Sequence, residues 1–296
     1  KNCLMISVLI ASYNRNVVNL VNELHSQLIK TKVSFEIICF DDASRSASNI
    51  ENIEINHLSN CSFKTLEQNI GRSAIRNLLA TKASFNWLLF LDADVLPTSS
   101  KFIEKYLENI KTEENDVFLG GIKYRECDDK RKLRWKFGKK NEEVTSTIRN
   151  KNPEKYFFTA NFLIQKSTFN SIKFNEELTE YGYEDLLFAK ELNQSKIVIK
   201  HIENEVFHLG IDTNLEFVLK TKKAINNLCY LIKNKRINIE DTNLSKQYFK
   251  IKPFGIFSIL NLFSNFFENQ TVKSSSVLYY NLFRLTYLNS IFKNCK

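Results

Sequence analysis

Glycine and proline are scarce in this chain of 296 residues, at 7 and 3. No G-x-G-x-x-G and no G-x-x-x-x-G-K-[ST] occurs, so neither a dinucleotide fingerprint nor a P-loop can cradle phosphate in backbone amides. The six cysteines (Cys3, Cys39, Cys61, Cys127, Cys229 and Cys295) form no C-x-x-C pair. Their scatter argues against a zinc site or a disulfide scaffold and fits a reducing compartment, which points to the cytoplasm. Unbroken apolar runs of the ~20 residues that span a bilayer are missing too. The tail stretches 254–267 and 277–292 are interrupted by Ser258, Asn261 and Ser264, and by Asn281, Arg284 and Asn289. Ile6 to Ala11 runs straight into polar sequence as a strand does, so no signal peptide is expected.

What is present is ordinary in bulk and uneven in charge. Hydrophobic residues make up 43% and charged residues 25%, enough for a full core in one large domain or one domain with a smaller appendage. Residues 213–296 carry 13 Lys and Arg against 4 Asp and Glu, whereas residues 1–212 hold 29 of each, so the tail carries the entire net charge of +9. We therefore place a boundary near residue 212 and expect the tail, 213–296, to be a basic, Phe-rich helical subdomain facing something anionic. No nucleic-acid recognition motif accompanies that charge, so nucleic acid is not the expected partner.

Along the chain, Leu4–Ala11 and Phe35–Phe40 read as buried strands around a helix through Val17, Leu20, Val21, Leu24 and Leu28. A weaker strand is expected near Ile53–Leu58, a helix after Asn69-Ile70-Gly71-Arg72-Ser73, and a third buried strand from Trp87 to Leu91. The alternation predicts an α/β fold with a parallel sheet and right-handed crossovers. A helix at 100–110, a strand at 117–122 and sheet residues at 156–165 follow. The segment 123–140, with nine basic and three acidic residues, reads as a solvated loop or as a flap whose Arg125, Arg131 or Arg134 meets diphosphate. Short strands at 197–199 and 206–210 precede a tail helix over 216–232.

The chemistry concentrates at strand ends. Trp87–Leu91 stops in two carboxylates, Asp92 and Asp94, followed by Pro97. Acids there are costly unless a positive partner meets them, and in an open α/β sheet the carboxyl ends of strands are where ligands bind. Ser12-Tyr13 and Asp41-Asp42 end the neighbouring strands, and the helix start at Gly71–Ser73 offers N–H groups to an anion. With no glycine cradle, phosphate must be held mainly by a hard divalent cation, Mg²⁺ or Mn²⁺. A second centre is Glu180–Asp185. Gly182 breaks the chain there, and Glu184 and Asp185 open a helix whose dipole keeps a carboxylate ionised, as a general base requires. Among the histidines, His25 and His57 read as structural and His201 as ambiguous. His208, between Phe207 and Leu209, reads as a core residue by itself. A metal site with carboxylates on one side only favours it as a ligand.

These segments, SVLIASYNR (7–15), FDDAS (40–44), NIGRSAIRNLLA (69–80), LLFLDADVLP (88–97), YGYEDLLFAKEL (181–192) and VFHLG (206–210), resemble in order the inverting family 2 glycosyltransferases of GT-A fold. The resemblance implies a Rossmann-like, mixed but mostly parallel sheet flanked by helices over residues 1–212, with a C-terminal helical extension. It also implies metal-dependent transfer of a sugar from a nucleotide donor, usually a UDP-sugar, to a hydroxyl acceptor, with inversion, in surface polysaccharide or glycan synthesis. Ser12, Tyr13 and Asp42 would contact base and ribose; Arg15 and Arg76 would serve the same donor, Arg76 near uridine or diphosphate. Asp92 would touch ribose or metal-bound water, Asp94 would ligate Mn²⁺ or Mg²⁺, and His208 would complete the protein's share of the metal shell. Asp185 would be the catalytic base and Glu184 would bind acceptor or donor hydroxyls. Ala11 stands where the family usually has proline. The QxxRW signature of processive synthases is missing after Asp185, so a non-processive enzyme is expected.

Two other readings use the same residues. A sugar nucleotidyltransferase also works with carboxylates and Mg²⁺, yet needs a Gly-rich loop that Ser12-Tyr13-Asn14-Arg15 does not supply. An inactive carbohydrate-binding relative would be expected to have lost Asp94, Asp185 or His208. For the tail, helices packed on the catalytic domain compete with a surface lying peripherally on an anionic membrane near a glycan or lipid-linked acceptor.

Overall fold

The computed structural model describes residues 4–112, 114–178 and 181–294; Cys3, Glu180 and Cys295 lie outside them. In chain order the strands are β1 (Met5–Ser12), β2 (Ser34–Asp41), β3 (Cys61–Thr65), β4 (Trp87–Asp92), β5 (Val95–Pro97), β6 (Val117–Leu119), β7 (Ile122–Tyr124), β8 (Asn161–Gln165), β9 (Ile199–His201) and β10 (Val206–His208). The helices are α1 (Val18–Thr31), α2 (Ser48–Asn52), α3 (Arg72–Lys82), α4 (Phe102–Thr112), α5 (Lys132–Asn141), α6 (Ser146–Arg149), α7 (Lys166–Ile172), α8 (Glu184–Gln194), α9 (Asn214–Lys233), α10 (Asn243–Ile251), α11 (Phe257–Leu260), α12 (Ser264–Ser274) and α13 (Val277–Asn294). They form two compact units, the first from Lys1–Arg125, Glu142–Thr179 and Phe188–Gly210, the second from Glu126–Asn141, Glu180–Leu187 and Ile211–Lys296.

The first unit is built on a sheet of order β3-β2-β1-β4-β8-β6-β9. β1 pairs in parallel with β2 and β4, β2 with β3 and β6 with β9, while β8 runs antiparallel between β4 and β6. The sheet is thus mixed and mostly parallel, as expected. Ile6 and Val8–Ile10 of β1 and Leu88–Leu91 of β4 are buried, as strands covered on both faces must be. Phe90 stacks on Phe162 at 4.7 Å in a core that includes Phe169, Phe174 and Phe188.

The sheet residues expected at 156–165 narrow to β8, after a 3-10 turn at Glu154–Tyr156, and the strand expected at 197–199 lies at Ile199–His201 as β9; three further expectations need correction. Residues 53–57 form a 3-10 turn, not a strand; Ile55 is buried but Ile53 is exposed, and the third strand comes later as β3. The apolar stretch 117–122 divides at Gly120-Gly121 into β6 and β7, which lie in different sheets. The 123–140 segment is no open loop. It supplies β7 and then α5, whose Leu133 is buried with Phe217, Val218 and Tyr280 in the second unit. Arg131 pairs with Asp128, and Arg125 and Arg134 lie over the rings of Phe207 and Phe217 at 4.2 and 5.3 Å.

The second unit is helical, around Leu133, Phe217, Val218, Phe267, Tyr280 and Phe283. α9 begins in a capping box, Thr213 and Glu216 each holding the other's backbone N–H, which fixes the entry into the tail. Asn214 ties three segments, accepting from the Leu133 N–H and donating to Val272 O and Ser275 Oγ at 2.8–3.0 Å. Among the described residues no helix is long and apolar enough to cross a membrane.

Candidate active site

In the first unit, β1, β2 and β4 end side by side, with Ser12 in register with Asp41 and Ala11 with Asp92. The carboxylates at these ends have different partners. Asp41 is fully buried and accepts from Ser44 N–H (2.9 Å), Ser44 Oγ (2.7 Å), Asn49 Nδ2 (2.9 Å) and, at 3.4 Å, Ser12 Oγ. Asp42 accepts the backbone N–H groups of Ile70 (2.8 Å) and Gly71 (2.9 Å) through its two oxygens. Of the N–H groups expected to face an anion at Gly71–Ser73, that of Gly71 is therefore taken by Asp42. Asp92 accepts from Arg76 Nη2 at 3.0 Å; Arg76 is buried, with its guanidinium 5.5 Å from the Phe174 ring centre.

Asp94 is placed differently. β4 stops at Asp92, a turn passes through Ala93 and Asp94, and β5 leaves for a second sheet of order β5-β10-β7. There β5 pairs antiparallel with β10, setting His208 opposite Val95, and Leu209 N–H donates to the Asp94 carbonyl at 2.8 Å. This pairing brings His208 Nε2 to 3.9 Å from Asp94 Oδ1. From the other side Arg15 Nη2 stands 3.5 Å from Asp94 Oδ2, on a side chain 44% exposed. Tyr13 is exposed and Ser12 is buried.

Gly210 completes the arrangement. A Cβ there would fall 1.9 Å from Asp94 Oδ2 and 2.6 Å from its Cγ, so only a residue without a side chain lets this carboxylate lie where it does. Sequence reasoning assigned Gly210 no role. The available signal was its place two residues after His208, in a chain that uses so few glycines.

The remaining histidines are engaged elsewhere. His25 Nε2 lies 3.1 Å from Ser59 Oγ, and His57 pairs with Glu54. His201 is buried, with Nε2 donating to Pro153 O at 3.0 Å, and its pKa is lowered to about 4, chiefly by burial. That settles it as a neutral structural residue. His208 Nδ1 is buried with no hydrogen-bond partner, so Nε2, the nitrogen facing Asp94, is the one left to meet a ligand.

Do these groups fit a cation? Two ligands each about 2.1 Å from one ion stand at most about 4.2 Å apart, and 3.9 Å lies within that limit. Among the described residues no group of three or more His, Cys, Asp and Glu could hold a metal. A cation here would thus take further ligands from phosphate oxygens or water, the usual arrangement for Mg²⁺-type ions at nucleotide sites.

Glu184 and Asp185 belong to the second unit. Glu184 is buried and its Oε2 accepts Gly182 N–H at 3.1 Å; Asp185, half-buried beside it, accepts Leu186 N–H at 2.8 Å. Gly182 (φ +101°) and Tyr183 (φ +70°) both take left-handed backbone. For tyrosine this costs about 1–2 kcal/mol, strain of the kind found next to functional groups. Ala224 Cβ would be 2.7 Å from a Cβ at position 182, and Asn227 Nδ2 donates to Gly182 O at 3.1 Å, so α9 holds this turn.

Residues 7–175, more than half of the chain, match the profile of Glycosyl transferase family 2. An Escherichia coli chondroitin synthase is 29% identical over 122 residues; the match covers 40% of this chain, which spans only 17% of that protein's length. The crystal structure of S. aureus TarS 1–349 is similar with a TM-score of 0.54 at 18% identity, covering 99% of this chain and 92% of that one. It has also been crystallised with UDP and with UDP-GlcNAc. The mannosyltransferase PcManGT from Pyrobaculum calidifontis, in complex with GDP-Man and Mn²⁺, gives a TM-score of 0.59 at 10% identity over 98% of this chain and 86% of its own. These are GT-A folds, and the likeness extends that fold to this chain.

Proposed function

The chain belongs to glycosyl transferase family 2, and we propose that it transfers a sugar from a nucleotide donor, UDP-linked, to a hydroxyl of a glycan or lipid-linked acceptor, with inversion and one residue at a time. The proposed setting is polysaccharide or glycan synthesis in the cytoplasm. The observation that carries the metal-dependent reading is the Asp94–His208 pair, joined at 3.9 Å by the β5–β10 ladder with Gly210 making room.

In this reading Asp94 and His208 hold Mn²⁺ or Mg²⁺, which when bound stabilises the charge developing on the departing diphosphate. Arg76 neutralises and orients Asp92 for the ribose or for metal-bound water. Ser12 and Tyr13 line the nucleoside side, with Asp42 shaping the loop before α3. Arg15, now on Asp94, is long and exposed enough to turn to a phosphate. Asp185 takes the proton of the attacking hydroxyl; Glu184, tied to Gly182 N–H, holds the turn that presents it and contacts substrate hydroxyls. A direct in-line attack needs a base and a stabilised leaving group but no covalent nucleophile, which gives inversion.

The test is a thermal-shift panel of UDP- and GDP-sugars with Mn²⁺ on the wild type and on Asp94→Ala. A donor at about a hundred times its Kd stabilises by about 2.7 kcal/mol, a rise of several degrees. We expect that rise for a UDP-sugar with Mn²⁺ in the wild type alone. A rise that persists in Asp94→Ala refutes the metal assignment, and no rise with any donor returns the chain to an inactive relative.

A further inference from the structure

A surface in the second unit remains unexplained by transfer chemistry. From Ile256 to Ser274 the backbone is helical almost without interruption through α11, a 3-10 turn at Asn261–Phe263 and α12. Its inner side is buried through Phe257, Phe267 and Thr271. Its outer side is apolar as well: Ile259, Leu262, Phe263 and Phe266 recur at helical spacing and are exposed by 63, 80, 50 and 48%. Phe254, 81% exposed, precedes this stripe, and Leu278 at the start of α13 is exposed too. A soluble helix normally turns charge outward, yet residues 253–267 contain no charged side chain.

The charge lies at the border. Between Thr242 and Phe267 the ionic residues are Lys246, Lys250 and Lys252, all exposed; Lys246 pairs with the exposed Glu240 at 3.2 Å, which leaves Lys250 and Lys252 as the positive border. Lys252 Nζ lies 5.6 and 5.5 Å from the ring centres of Tyr248 and Phe249, on a residue that is exposed. A second copy of the chain is a poorer cover for this face, because self-pairing would bring Lys250 and Lys252 of the two copies together. A layer that is apolar inside and negative at its surface matches both parts.

We infer that the Phe254–Phe266 face is a membrane-docking surface that lies in the headgroup region of an anionic bilayer. Phe254, Leu262, Phe263 and Phe266 enter the acyl boundary while Lys250 and Lys252 meet lipid phosphates. The helix lies on the membrane and does not cross it. This inference is independent of the sugar and acceptor proposed above.

The experiment is co-sedimentation of the full chain with phosphatidylcholine vesicles, with and without phosphatidylglycerol. Wild type is expected to pellet with the anionic vesicles and to be released by raised salt. L262E/F263E, at exposed positions, should keep the wild-type circular dichroism and melting temperature and lose at least about tenfold in partitioning. K250E/K252E should lose about fivefold per lysine on anionic vesicles and nothing on neutral ones. Equal pelleting of wild type and L262E/F263E overturns the inference. So does a dimer by light scattering that L262E/F263E dissolves while vesicle binding is absent, since that assigns the face to a second copy. Loss of donor binding with vesicle binding intact refutes the transferase reading alone.

Discussion

Gly210→Ala is the sharpest perturbation of the proposed cation site, because it adds one methyl group and removes no ligand. Its Cβ would stand 1.9 Å from Asp94 Oδ2 and 2.6 Å from Cγ, where ordinary contact begins near ~3.4 Å. The carboxylate must withdraw by roughly 1.5 Å, comparable with a metal–oxygen bond of about 2.1 Å, and so cannot keep its share of an ion also held by His208. Displacement of a metal-site group typically costs 10–100-fold in affinity, or about 1.4–2.8 kcal/mol. Stability should fall as well, by about 1–3 kcal/mol, because Asp94 Cβ would stand only 2.8 Å from the added methyl and is fixed to a turn whose carbonyl accepts the Leu209 N–H. The assay is Mn²⁺ titration of donor binding by calorimetry, beside a denaturant melt. A half-saturating Mn²⁺ concentration equal to wild type would refute the claim that Asp94, in this conformation, holds the ion.

Three further outcomes follow from the same geometry. His208→Ala should raise the Mn²⁺ concentration for half-maximal donor binding about tenfold or more, measured as above, and no change would leave His208 a packing residue. Asp185→Asn should bind donor with wild-type affinity by calorimetry yet lose transfer by about two to four orders of magnitude; persistent turnover would remove it as the base. His201 gives a pH signature. Its folded pKa of about 4, lowered first by burial, lies below the unfolded value of 6.5, so its contribution is fully present above 6.5 and is lost as pH falls towards 4. Urea melts should show wild type losing roughly 3 kcal/mol more than His201→Gln over that interval, and parallel slopes would contradict the burial argument.

How legible was this protein in its sequence? The central strands were readable because β1, β2 and β4 are buried on both faces, which leaves a run of apolar residues instead of an ambiguous alternation. β3 was misplaced for the opposite reason: its CSFKT buries Phe63 but is otherwise largely polar, whereas Ile53 and Ile55, with Glu54 between them, imitate strand periodicity inside a 3-10 turn. The break between β6 and β7 falls at Gly120-Gly121, Gly121 taking φ +89°, and its place is held by Arg149, buried and distant in sequence, which donates to the carbonyls of Gly120 and Ile202 at 3.3 and 2.8 Å. Local pattern carries no trace of such a partner. The basic segment 123–140 read as a solvated loop or a flap by charge count, yet Lys, Arg and Leu are good helix formers, and Leu133 and Phe137 give α5 an apolar side.

The strand ends show the same division between residue type and placement. Four aspartates stand there, and from the chain alone Asp92 and Asp94 were the ones expected to need a positive partner. Asp41 is met by Ser44, Asn49 and Ser12, Asp42 by two backbone N–H groups, and Asp92 by a buried arginine at 3.0 Å. For these three the cost of placing charge at a strand end is offset within the protein. Asp94 differs: its charge faces a half-exposed Arg15 at 3.5 Å and a histidine at 3.9 Å, both beyond ordinary hydrogen-bond distance, with a glycine keeping the space beside it clear. Two acids one residue apart are thus not equivalent. Arg76 on α3 takes Asp92, while the turn at Ala93-Asp94 hands Asp94 to the small sheet, where the β5–β10 ladder supplies His208. A cation proposed at this site must accordingly depend on that ladder, so a substitution that shifts β10 should act on metal affinity before it acts on the main sheet.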